Sequence, residues 1–179
     1  MRLQAILNFW FQELSPSDQF SKSDRIDSEI KRRFKPTLEQ AAKGELFSWR
    51  ATADGRLAEI IVLDQFSRNI FRDKAESFAQ DALALALAQE MIRLELDRKI
   101  PVSQRSFVYM PYMHSESKLI HVQAVKLFDQ PGFENNLKFE YLHKKIIDQF
   151  GRFPHRNEIL DRKSTREELD FLKTPGSAF

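Results

Sequence analysis

Four histidines, at 114, 121, 143 and 155, are the side chains of this 179-residue chain best suited to exchanging a proton near neutral pH. Two segments set such groups beside carboxylates, guanidinium groups or aromatic rings, and a third pairs a carboxylate with an arginine. The first is Arg105-Ser-Phe-Val-Tyr109-Met-Pro-Tyr112-Met-His114-Ser115-Glu116. Its large apolar side chains surround an imidazole and a carboxylate, so His114 and Glu116 are candidates for general acid and base, with Arg105 as an anion contact. The same composition suits a core segment next to a helix cap, and spacing alone does not bring the two groups together.

The second segment is His143 followed by Phe150-Gly-Arg152-Phe-Pro-His155-Arg156-Asn157. Residues 144–163 carry a net charge of +3, the most cationic stretch of the chain. Asn157 can cap a short helix at Glu158, and Arg152 and Arg156 would then stand beside a helix N-terminus, the arrangement that binds phosphate or carboxylate. In that setting His143 and His155 are further acid–base candidates. Alternatively, the arginines pair with acids of neighbouring helices and clamp the loop. The third segment is Asp64-Gln-Phe-Ser-Arg68-Asn69, where Asp64 shares a helical face with Leu57 and Ile61, and Arg68 follows one turn on. It reads either as a buried ion pair closing a helix or as a pocket wall.

Other chemistries lack their residues. There is no Cys, so thiolate nucleophiles, disulfides and Cys-type zinc sites are excluded. The histidines form no H-E-x-x-H or similar ligand spacing, and no P-loop, G-x-G-x-x-G or G-x-S-x-G occurs, so neither a metal nor a cofactor is expected. A net charge of +2 on 28 basic and 26 acidic residues makes nucleic acid an unlikely partner. The longest apolar run, Ala82–Ala88, is far short of a membrane span, and residues 1–14 lack the apolar region of a signal peptide, so a cytoplasmic protein is expected.

The elements that must position these groups read as helices. Leu (19) and Ala (14) dominate while Val (5) and Thr (4) are scarce, so an all-α fold is expected, as one domain spanning 1–179. Leu3, Ile6, Leu7, Trp10 and Leu14 share one face, and Ser15-Pro16 should end that helix. Asp24 is placed as the cap of a second helix that Pro36 should kink or stop, with Gly44 beyond its end. A central, buried helix is expected over 55–67, and a helix rather than a strand over 76–96. A further helical stretch should reach Tyr109 and stop at Pro111. Ser115 should cap a helix over 116–128, and Asp129-Gln-Pro-Gly132 should turn into a helix over 136–150. On it Leu137, Tyr141, Leu142, Ile146, Ile147 and Phe150 should point inward. Ser164-Thr-Arg-Glu167 reads as a capping box, and Pro175-Gly176 as the end of the fold.

The segments FWF (9–11), LDQFSRNIFR (63–72), FVYMPYMHSE (107–116), FGRFPHRN (150–157) and FLKTPGSAF (171–179), in that order along nearly the whole chain, resemble the bacterial domain-of-unknown-function family numbered 924. The resemblance implies seven to nine antiparallel helices in a tetratricopeptide-like right-handed superhelix, with no established activity. It concentrates attention on Asp64, Arg68, His114, Glu116, Arg152, His155, Arg156 and Asn157. Two positions depart from the family pattern: Asp161 stands where Gly is usual, which could alter the turn before the last helix, and His121 where Gln is common. Taken together, the expectation is a helical protein holding a small or peptidic anionic ligand through Asp64, Arg68, Asn69, Arg105, Arg152, Arg156 and Asn157. An enzyme acting on an anionic metabolite at the same residues, or a protein–protein adaptor, are the alternatives. The oligomeric state is left open.

Overall fold

The computed structural model describes residues 3–177, so Ala178 and Phe179, which close the last of these segments, lie outside the described residues. Among the described residues all regular elements are helical and there is no strand. None of these helices is long and apolar enough to cross a membrane. The chain folds as two compact units. The first comprises the residues up to Arg72 with Glu76–Pro111, and the second comprises Asp73–Ala75 with the residues from Tyr112 onward.

In the first unit α1 (Leu3–Asn8) runs into a π-helical turn over Phe9–Glu13. Ser15 does not merely end that helix. Its hydroxyl accepts from the Asp18 amide and the Asp18 carboxylate accepts from the Ser15 amide, so it opens α2 (Pro16–Phe20) with a capping box. Ser23 rather than Asp24 caps α3 (Asp24–Ala42). That helix continues through Pro36, which lies on the exposed face, where water can take up the carbonyl that the proline leaves without an amide donor. Gly44, at φ +72°, ends α3 as expected.

Thr52 caps α4 (Ala53–Ile61), followed by a second π turn, Val62–Phe66, and by α5 (Ser67–Ile70). All residues from Leu57 to Ser67 are buried, so this stretch is the central helix its all-round apolar character predicted. Gly55 sits inside its first turn, where a Cβ would lie 2.0 Å from the Trp49 carbonyl oxygen; only glycine admits that approach. Both π turns face the same aromatic core. Phe34 stacks on Phe66 at 5.0 Å, and Phe9 and Trp10 meet Phe66 edge-on at 6.1 and 5.6 Å. Each such ring, fully buried, contributes about 1.5–3 kcal/mol. Then come α6 (Asp81–Arg93) and α7 (Val102–Met113). Helix α7 passes through Pro111 instead of stopping there, and Tyr112 and Met113 begin the second unit.

The second unit is built on α8 (Lys118–Phe128) and α9 (Glu134–Phe150), packed against each other. Ser115 and Glu116 remain outside α8, whose first flanking residue is Ser117. Gly151, at φ +70°, ends α9, a short 3-10 turn covers Pro154–Arg156, and α10 spans Arg166–Phe171. The capping box of α10 is Thr165 with Glu168, one residue later than the pattern suggested. On α9 Tyr141 and Leu142 point outward, 53% and 51% exposed, while Glu140 and His143 are buried in their place. Their hydrogen bonds, described below, offset the cost of burying polar groups there.

Asp161 occupies the left-handed region at φ +52°, with its amide bonded to the Glu158 carbonyl and the next amide to that of Asn157. A glycine at this position would adopt that conformation without the Cβ clash, so Asp161→Gly is expected to raise stability by about 1 kcal/mol. The readout is a higher urea midpoint at unchanged m value. A lower midpoint would show that the Asp161 side chain contributes more than its backbone strain costs.

Candidate functional site

The sequence candidates divide between the two units. Asp64, Arg68, Asn69 and Arg105 belong to the first. His114, Glu116, His143, Arg152, His155, Arg156 and Asn157 belong to the second.

In the first unit the charged side chains hold the fold together. Asp64, in the π turn, is fully buried and accepts from Arg68 Nη1 at 3.1 Å and from Gln65 Nε2 at 2.6 Å. Arg68 also forks onto Asp81, at 2.9 and 3.0 Å, and so ties the end of the central helix to the start of α6. Asn69 and Arg72 both donate to Asp27 of α3. Arg105 donates to the carbonyls of Arg98 and Ile100, closing the turn before α7. The aromatic wall of the Phe107–Tyr112 segment is core: Phe107 and Tyr109 are buried, and Tyr109 donates its hydroxyl proton to Asp97 at 2.7 Å. Asp64 and Arg68 thus form the buried ion pair that one of the two readings expects, while Asn69 donates to Asp27 and Arg105 to backbone carbonyls.

In the second unit Glu116, His143, His155 and Arg156 gather around one residue, Phe153. Phe153 is fully buried, and the rings of His121, His143 and His155 lie 6.2, 5.7 and 5.6 Å from it. The Arg156 guanidinium packs over the same ring at 4.6 Å and donates to the His114 carbonyl at 3.1 Å. Glu116 accepts from the Phe153 amide at 2.7 Å and from both Nη atoms of Arg162, at 2.5 and 2.9 Å. Thus the His114–Glu116 corner and the Phe153–Asn157 loop, about 40 residues apart in the chain, form one cluster.

The electrostatics of the cluster follow from burial and charge. His143 Nδ1 lies 2.8 Å from the Phe139 carbonyl, which can only accept, so Nδ1 carries the proton of the neutral ring. Burial lowers its pKa to about 3, and the positive charges available on His114, His121 and Arg156 work in the same direction. His143 is therefore neutral at physiological pH. Burial works to raise the Glu116 carboxyl, but the Arg162 hydrogen bonds and the Phe153 amide outweigh it and hold that group below the usual carboxylate range. Arg162 Nε is buried and makes no hydrogen bond.

Arg152 pairs with an acid of a neighbouring helix, the alternative to a ligand contact, and Asn157 does something other than expected. Arg152 turns to Glu168, at 2.6 and 2.8 Å, and to the Lys163 carbonyl; that ion pair holds the Glu168 carboxyl down to about 2. Asn157 caps no helix at Glu158. It is the closing residue of the Pro154–Arg156 turn, and its amide donates to Ser164 Oγ. The helix N-terminus envisaged for an anion is therefore absent there. Among the described residues no group of three or more His, Asp or Glu is arranged to hold a metal ion. A shallow cavity of about 290 Å³, lined by Phe128, Asp129, Gln130, Pro131, Glu134 and Leu137, includes none of the candidates.

Sequence reasoning missed Glu140 and the role of Arg162. A signal for Glu140 was present: it shares an inward stripe of α9 with His143 and Ile147, at helical spacing, and so is a polar group on an apolar face. Nothing local marks Arg162, whose partner Glu116 lies 46 residues earlier.

These features define an all-helical protein with a buried histidine–arginine cluster around one phenylalanine. The chain belongs to the family described as bacterial protein of unknown function (DUF924), whose model matches residues 6–176. It is similar to the solved structure of a protein of unknown function, ATU0120, from Agrobacterium tumefaciens. The two are 37% identical, the match covers 96% of each chain, and the TM-score is 0.91. Curated proteins yield no match.

Proposed function

We propose that this is a cytoplasmic helical binding protein that holds a small or peptidic anionic ligand at the cluster around Phe153. The observation that carries the reading is Arg156, whose guanidinium bridges the Phe153 ring and the His114 carbonyl beside three histidines. Guanidinium groups recognise carboxylates and phosphates through paired hydrogen bonds, and Arg156 itself is buried. His114, His155 and Glu116 are half-buried, so the cluster is within reach of solvent. The tetratricopeptide-like superhelix is part of the same proposal, supported by the α8–α9 pair with its short connecting turn.

An enzymatic reading of the same cluster is favoured by one observation. The imidazoles of His143 and His155 flank the Phe153 ring whose backbone amide donates to the Glu116 carboxylate, and imidazole near carboxylate is a pairing that acid–base chemistry uses. An adaptor role is favoured by another: Leu119 and Val122 of α8 and Phe139 of α9 are 71%, 43% and 46% exposed.

The test is thermal unfolding with inorganic phosphate, pyrophosphate and citrate, on wild type and on Arg156→Met. Saturable stabilisation of wild type is expected, reaching about 2.7 kcal/mol at a hundredfold excess over Kd, and its loss in a variant that still folds. Equal responses in the two proteins, or none in wild type, would overturn the reading.

A further inference from the structure

We infer that His121 and Glu140 are positioning residues that hold the Ser115 corner of this cluster through one shared proton, and that losing this proton releases the corner. The inference rests on the site proposed above for the functional meaning of that corner, though not for its geometry.

Both side chains are fully buried. His121 Nε2 lies 2.8 Å from the Ser115 carbonyl, and Nδ1 lies 2.7 Å from Glu140 Oε1. A carbonyl accepts and never donates, so Nε2 must carry a hydrogen. The 2.7 Å contact on the other side needs a proton too. It resides on Nδ1 in an imidazolium–carboxylate pair, or on Oε1 in an imidazole–carboxylic acid pair. The two forms contain the same number of protons, so both contacts survive whichever is populated. Glu140 Oε2 is buried and makes no hydrogen bond, so no second donor steadies an ionised carboxylate. Burial accordingly raises the Glu140 pKa, against the opposing pull of His121 and Lys144.

Once the shared proton leaves for solvent, a neutral imidazole with a single N–H faces both a carboxylate and a carbonyl. The bond to the carboxylate is charge-assisted and roughly twice as strong, so the proton settles on Nδ1. The Nε2 lone pair then meets the Ser115 oxygen, and that contact turns repulsive. Ser115 sits between His114, whose carbonyl Arg156 holds, and Glu116, which Arg162 holds. Within this unit the charged and titratable groups facing the pair are Lys144 and His143 of α9, with His114 and Arg156 acting on His143.

The test uses the full chain without ligand, comparing wild type, His121→Gln and Glu140→Gln between pH 5 and 9.5. Nitrogen NMR of the His121 ring and hydrogen exchange of residues 115–117 are read together. In wild type, Nε2 should be protonated at the acid end and lose its proton as the pH rises. Exchange of the segment should rise at least tenfold beyond its intrinsic pH dependence over the same step. Glutamine at 121 can donate to the Ser115 carbonyl but does not titrate, and glutamine at 140 removes the competing charge, so neither variant should show the step. An Nε2 without a proton throughout, or the same step in His121→Gln as in wild type, would overturn the inference. Phosphate affinity is scored separately, at pH 7 and 9. A wild type that shows the step but binds no phosphate refutes the ligand reading and leaves the latch standing. A wild type that binds equally at both pH values despite the step refutes the positioning role.

Discussion

Replacing Arg68 by alanine is expected to destabilise the protein by about 3–5 kcal/mol, because it strands buried carboxylates instead of removing a balanced pair. Asp64 is fully buried and Asp81 mostly so, and the Arg68 guanidinium bonds both. For a chain of this length that loss lowers Tm by on the order of 10 °C. The triple variant Asp64→Leu, Arg68→Met and Asp81→Asn removes the guanidinium together with both carboxylate charges and should recover most of the deficit, since well-packed neutral replacements of buried ion pairs cost little. Calorimetry on the three proteins decides between the two readings of LDQFSRN. A loss below about 1 kcal/mol in Arg68→Ala would show that the network is not structural, and would return this segment to the candidates for ligand contact.

The second large effect concerns pH. His143 has its pKa lowered to about 3 in the folded chain, against 6.5 as the ordinary value. Below pH 6.5 the unfolded chain takes up a proton that the folded chain refuses. Stability therefore falls with decreasing pH by about 1.4 kcal/mol per unit, from 6.5 down toward 3, and is fully present above that window. His143→Gln keeps a neutral amide that can bond the Phe139 carbonyl and has nothing to titrate. The difference in unfolding free energy between wild type and this variant should shrink or reverse steadily from pH 7 to 4.5. Glu168 acts in the same direction but in a lower window, from about 4.5 down to about 2, where its pairing with Arg152 is lost. Parallel stability curves for wild type and His143→Gln would mean that the folded protein admits the proton, and that burial does not hold His143 neutral as described above.

How far the sequence spoke depends on the range of the interaction. Periodicity identified the helices and the buried stretch around Ile60, because both are local consequences of side-chain spacing. It erred at Pro111, where α7 passes through a residue whose local penalty argues for a stop, and at Pro36 it had left a kink or a stop open where α3 continues. It also erred on α9, where apolar Tyr141 and Leu142 face outward while Glu140 and His143 take the inward stripe. That inversion depends on His121, 19 residues earlier, and no window on one helix contains it. The resemblance to the family rightly drew attention to Asp161, since the backbone there is the kind glycine favours. At the site, local sequence brought out His114, Glu116, His155 and Arg156 singly. Their meeting on Phe153 belongs to the fold.

All four histidines lie in the second unit, and the residues of the first include none. The first unit therefore holds no side chain whose ordinary pKa lies near neutrality. A titration followed at the imidazole protons thus reports on the second unit alone and leaves the first silent.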